Sequence, residues 1–173
     1  GVTYASDNVV IVGLGLIGGS LARALRSSGF SHRFIGYGHR EASLQRGVEL
    51  GVIDEFTLDL DEAIERADII VICTPTLTTV QMLEKILPRL LGRSGGPVIT
   101  DVASVKGNLR TAAIAVAGAM PPQLVLGHPI AGSQYSGVNA SKADLFVDHR
   151  VILTPDAAKD PAAVELVRAM WRS

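Results

Sequence analysis

Apolar and polar positions divide this chain into short segments of two alternating kinds. Continuous apolar runs of strand length, bounded by glycine or proline, are each followed by a stretch in which apolar residues recur at helical spacing. "NVVIVG" (8–13) reads as a first strand, and "LIGGSLARALRSSG" (16–29) as a helix stopped by Gly29. "RFIGYG" (33–38) is a second strand, followed by a helix over 41–50. A short third strand over 54–57 and a short helix over 60–67 come next.

"DIIVICTP" (68–75) is the most continuous apolar strand, closed by a proline that cannot donate to a ladder. The pattern then predicts a helix over 79–91, a strand over 97–102, an alanine-rich helix over 106–119 and a strand over 123–129. Residues 130–148 show neither period, and loops of that length in compact domains are functional or disordered. A strand over 150–155 and the start of a final helix close the chain. Repeated strand and helix alternation of this kind builds a parallel sheet with helices on both faces.

Length and composition fit that picture. At 173 residues with 47% hydrophobic and 5% aromatic residues, the chain has material for one core made of aliphatic side chains. No apolar run approaches the roughly 18 residues of a membrane span. A formal net charge of −1 gives no global attraction to nucleic acid or to an anionic membrane. The single cysteine, Cys73, excludes an internal disulfide and fits a reducing, cytoplasmic setting.

The first strand-to-helix junction carries chemistry. In "VVIVGLGLIGGS", Gly13, Gly15 and Gly18 have the spacing G-x-G-x-x-G directly after a strand and at the opening of a helix. There the first glycine permits a tight turn, the second lets a pyrophosphate approach the backbone, and the third lets helix and strand pack closely. The N–H groups at the helix start, from Leu16 and Ile17 onward, would meet the phosphates. The bland alternative is a glycine-rich turn without a ligand. Its position at the first junction of an alternating chain favours dinucleotide binding and a doubly wound, mostly parallel Rossmann sheet.

The acid that usually binds the cofactor ribose is expected at the end of the second strand, where this chain has Gly38, His39 and Arg40. Arg40, helped by His39, suits a 2′-phosphate, which favours NADP over NAD. Arg40 is otherwise an ordinary solvated charge, and Glu41 is one position away from the same place. At the end of the fourth strand Thr74 and Pro75 would line the cofactor, or simply form a helix-start turn. Ser104 in "TDVASVKG" is well placed as an N-cap, and Asp101 as a cap or turn former. His128 in "LGHPIAGS" ends a strand beside the expected cleft, where an imidazole can act as acid, base or hydrogen-bond partner. Neither a second histidine nor a carboxylate stands near it at metal-ligand spacing, so no metal is expected.

Three stretches in order, "VVIVGLGLIGGSLARAL", "TDVASVKG" and "GHPIAGSQYSGV", with "RVILTP" after them, resemble the prephenate and arogenate (cyclohexadienyl) dehydrogenases of tyrosine biosynthesis. The resemblance implies NAD(P)-dependent oxidative decarboxylation of a small cyclohexadienyl substrate. It places Ser104 and His128 in the active site, with Ser133 and Gln134 beside the substrate. Many relatives carry an acid where this chain has Gln134, and many end the second strand in an acid where it has Gly38.

The resemblance also implies a C-terminal helical domain that dimerises and completes the substrate site. The expected organisation is then a tail or tag remnant over 1–7 and a dinucleotide-binding domain over 8–158, with a substrate loop at 127–149. A helix over 159–173 would lead toward a domain absent here, making this chain a poorly active fragment of a homodimeric enzyme. The rival readings are another NAD(P) oxidoreductase of the β-hydroxyacid dehydrogenase or imine reductase type, and a non-catalytic dinucleotide-sensing domain.

Overall fold

The structure, a computed structural model, describes residues 6–90, 96–102, 113–115, 124–125 and 170. Its strands are β1 (Ser6–Val12), β2 (Ser31–Tyr37), β3 (Glu55–Thr57), β4 (Ile69–Ile72), β5 (Val98–Asp101) and β6 (Leu124–Val125). They form one parallel sheet in the order β3-β2-β1-β4-β5-β6. Helices α1 (Leu16–Ser28), α2 (Glu41–Glu49), α3 (Leu60–Arg66) and α4 (Thr76–Leu90) connect the first strands. Residues 113–115, inside the helix expected at 106–119, are helical. This is the doubly wound fold that the alternating pattern predicts, and its strand order reverses between β1 and β4.

Alternation along the strands divides the core into two layers. Val9, Ile11, Ile69 and Val71 pack with Leu21 and Leu25 of α1, together with Val52, Ile53 and Met170. Val10, Val12, Ile70 and Ile72 face the other way, against Ile64 of α3 and Leu83, Ile86 and Leu87 of α4. Each such side chain, at most a few per cent exposed, contributes roughly 1.5–3 kcal/mol of burial. Both faces of β1 and β4 are therefore apolar, which is why these two strands read as continuous hydrophobic runs.

Several boundaries differ from the sequence pattern for identifiable reasons. β1 begins at Ser6, ahead of its apolar run, because the Asp68 carboxylate accepts from the N–H groups of Asp7 (3.2 Å) and Asn8 (2.8 Å). β4 stops at Ile72 and α4 starts at Thr76, immediately after Pro75, with the Thr79 N–H donating to the Pro75 carbonyl at 2.9 Å. α1 ends as expected at Gly29, whose φ of 71° is in the left-handed region. α3 is capped by Asp59, which accepts from the N–H groups of Asp61 and Glu62.

Candidate nucleotide-binding site

The carboxyl ends of β1, β2, β4 and β5 lie side by side around the reversal of strand order, where ligands bind in open α/β sheets. Backbone bonds hold these ends together. The Gly13 N–H donates to the Tyr37 carbonyl (3.2 Å), the Cys73 N–H to Val12 (2.8 Å) and the Val102 N–H to Ile72 (3.2 Å).

The three glycines of the first turn do different jobs. Gly13 has φ +86°, and a Cβ there would lie 2.5 Å from Thr74 Cγ2 and 3.1 Å from the Cys73 carbonyl oxygen. Both the conformation and the space therefore demand glycine. A Cβ on Gly18 would run into the Gly13 carbonyl oxygen and lie 3.2 Å from Ile11 Cγ2, so glycine here allows α1 to sit close on β1. Gly15 is exposed, and nothing lies within 4 Å of where its Cβ would be. Open space at that position suits a ligand approaching the backbone.

Gly15 is also the N-cap of α1. No side chain caps the helix, and its first turn contains no acid. The N–H groups of the first turn and the positive end of the helix dipole are thus left for an external anion. Shape and charge together fit a dinucleotide pyrophosphate.

Thr74, at the end of β4, is held from behind by Thr79. The two hydroxyls are 2.8 Å apart, and Thr79 Oγ1 also reaches the carbonyls of Thr74 (3.0 Å) and Pro75 (3.1 Å). A hydroxyl has one proton to give. Thr79 donates it to a carbonyl and accepts from Thr74, which leaves the remaining lone-pair side of Thr74 Oγ1 as an acceptor. Thr79 is fully buried, and its role was not visible in the sequence beyond a run of threonines.

At the end of β2, His39 and Arg40 are exposed, and neither has an ion-pair partner among the described residues. Gly38 has no positive φ, and a Cβ there would meet only the Leu44 methyls at 3.9 and 4.0 Å. A Cβ at position 38 would thus make only ordinary contacts. Tyr37, beside them, has its phenol pKa raised by burial, partly countered by the Arg89 charge.

Cys73 follows directly on Ile72, the residue that pairs in register with the buried Asp101 at the end of the adjacent strand. Burial, reinforced by the Asp101 charge, pushes the Cys73 thiol far above its usual pKa, so it stays protonated and unreactive. Among the described residues no group of three His, Cys, Asp or Glu side chains is placed to hold a metal. Ser104, His128, Ser133 and Gln134 lie outside the described residues. Of the residues singled out in the sequence, Gly13, Gly15, Gly18, Gly38, His39, Arg40, Thr74 and Pro75, with the backbone of Leu16 and Ile17, lie within the described residues at the carboxyl ends of β1, β2 and β4.

Residues 21–173 match the family model for the prephenate dehydrogenase nucleotide-binding domain. The chain belongs to this family. It is 36% identical over 168 residues to the prephenate dehydrogenase of Bacillus subtilis, covering 96% of this chain and 44% of that protein. It is 31% identical over 165 residues to the cyclohexadienyl dehydrogenase of Zymomonas mobilis, covering 95% and 54%. A crystal structure of A. aeolicus prephenate dehydrogenase in complex with hydroxyphenyl propionate and NAD+ superposes with a TM-score of 0.79 at 36% identity, covering 95% of this chain and 56% of that one. The chain spans about half the length of these relatives.

The prephenate dehydrogenase family match begins inside α1, beyond the glycine turn. The similarity to the B. subtilis prephenate dehydrogenase spans nearly the whole chain and takes the turn in.

Proposed function

We propose that the protein carrying this domain catalyses NAD(P)-dependent oxidative decarboxylation of prephenate, arogenate or both, yielding 4-hydroxyphenylpyruvate or tyrosine. The observation that carries this reading is the uncapped, acid-free start of α1 beside the open face of Gly15, in a chain of the prephenate dehydrogenase family. The A. aeolicus relative crystallised with NAD+ and hydroxyphenyl propionate supports the same pairing of cofactor and ring.

Gly13, Gly15 and Gly18, with the first N–H groups of α1, hold the pyrophosphate. Thr74 and Pro75 line the side nearer the nicotinamide, with Thr74 Oγ1 as an acceptor. When bound, the dinucleotide supplies the two-electron acceptor for the ring carbon that bears the hydroxyl. His128 takes up the hydroxyl proton as that carbon is oxidised, and Ser104 holds the same oxygen or orients the imidazole. Loss of carbon dioxide then leaves an aromatic ring, which makes the overall reaction favourable. Ser133 and Gln134 contact the substrate. A neutral Gln134 neither attracts the ammonium of arogenate nor repels the pyruvyl carboxylate of prephenate, so both substrates are compatible with it.

The cofactor preferred is NADP, because Arg40 and His39 stand unpaired where an acid would favour NAD. The complete protein acts as a cytoplasmic homodimer through the region beyond this chain. The test is turnover of both substrates by the full-length protein with each cofactor. His128→Asn should cost at least ~100-fold in kcat, the scale of a lost acid-base partner. Wild-type turnover in that variant, or oxidation of neither substrate, would overturn the assignment.

A further inference from the structure

Gly47 lies in the interior of α2, without a positive φ. Glycine is the poorest helix former after proline, and nothing in the backbone at this position requires it. The close neighbour is a side chain distant in sequence. A Cβ on Gly47 would displace the end of the Leu14 side chain at Cδ2 and would lie 3.3 Å from Ile53 Cγ1. Leu14 is the middle residue of Gly13-Leu14-Gly15, so the glycine turn sends its one large side chain into a gap that α2 leaves for it.

We propose that the Leu14–Gly47 contact is a positioning device that fixes the phosphate-binding turn against α2. It thereby sets the distance from that turn to His39 and Arg40 at the start of the same helix. The backbone ties the turn to β2 by the Gly13 N–H bond to Tyr37, and Thr74 packs against Gly13 on the β4 side. Position 14 is held on the remaining side by α2. Gly36 does related work beneath it, since a Cβ there would lie 2.7 Å from Ile53 Cδ1 and 3.0 Å from Leu44 Cδ2. α2 is thus drawn close to β2 by one glycine and keyed to the turn by another. A dinucleotide anchored at both the turn and the α2 start binds more tightly when that separation is held in advance.

The proposal rests on dinucleotide binding by this domain, and the experiment separates the two. Calorimetric titrations of the chain with NADP and with NAD, beside thermal melts, are made for the wild type, Leu14→Ala, Gly47→Ala, Gly47→Val and the double variant Leu14→Ala/Gly47→Val. Gly47→Val should raise Kd about 10-fold or more. In the double variant the shortened residue 14 admits the valine and returns Kd to within about 3-fold of wild type. Gly47→Ala gains helix propensity, so its Tm should hold while Leu14 is displaced and Kd still rises; it keeps the test decisive if the valine variant does not fold. Unchanged Kd in Gly47→Ala, or a double variant no tighter than Gly47→Val, overturns the proposal. A wild-type chain that binds neither dinucleotide overturns the underlying reading, and this one with it.

Discussion

The methyl group of Thr74 occupies the space where a side chain on Gly13 would begin, its Cγ2 lying 2.5 Å from the position of that Cβ. The end of β4 and the turn after β1 are therefore shaped against each other at the reversal of strand order. Gly13→Ala must adopt a left-handed φ and push against both Thr74 and the Cys73 carbonyl, so it should lower stability by about 2 kcal/mol or more. Thr74→Ser removes the opposing methyl. Combined with Gly13→Ala it should recover part of the loss in chemical denaturation, and strict additivity of the two changes would show that the contact is not responsible.

Behind Thr74, the buried Thr79 hydroxyl is bonded to a second hydroxyl and lies within reach of two carbonyls. Thr79→Val keeps the shape and removes those bonds. It should cost about 1–2 kcal/mol in denaturant unfolding and weaken dinucleotide binding, because the Thr74 hydroxyl is then free to turn. Thr79→Ser keeps the oxygen and should keep the affinity. Equal affinities for the valine and serine variants would remove Thr79 from any role at the site.

Cys73 gives a pH signature. Its folded pKa is raised by burial and by the Asp101 charge, so above the ordinary thiol value of about 8.5 the unfolded chain binds fewer protons than the native one. The associated stability is fully present below that pH and is lost as pH rises beyond it. Unfolding free energy measured from pH 8 to pH 10 should therefore fall more steeply for the wild type than for Cys73→Ala. Parallel slopes would mean that the thiol titrates normally.

The described strands and the glycine turn were legible in the sequence because their signals are local, and the strand expected over 150–155 lies outside the described residues. Ile69–Ile72 is apolar on both faces, and Gly13, Gly15 and Gly18 lie within six positions. What escaped depends on contacts between distant segments. The helical pattern shows Gly47 only as a weak spot, since Leu14, which explains it, belongs to another element. The pattern opens α4 at residue 79, whereas the helix starts at Thr76, and Thr79 buries its hydroxyl by bonding back to the turn. The start of β1 was missed for the same reason, since Asp68 holds it from another strand.

The proposed preference for NADP rests on the end of β2. Arg40 is exposed without an ion-pair partner among the described residues, and a Cβ on Gly38 would make only ordinary contacts with Leu44. A charge-assisted bond from Arg40 to a 2′-phosphate is worth roughly 1.5–3 kcal/mol, or about 10- to 100-fold in affinity. Arg40→Ala should therefore weaken NADP by that factor and leave NAD nearly unchanged. Gly38→Asp combined with Arg40→Ala should go further and reverse the preference, since the new carboxylate accepts from a ribose 2′-hydroxyl and repels a 2′-phosphate. Titration of each variant with both dinucleotides provides the ratio. If Arg40→Ala weakens NADP and NAD equally, Arg40 is not a reader of the 2′-position. If the double variant still prefers NADP, the discrimination lies elsewhere than at the end of β2.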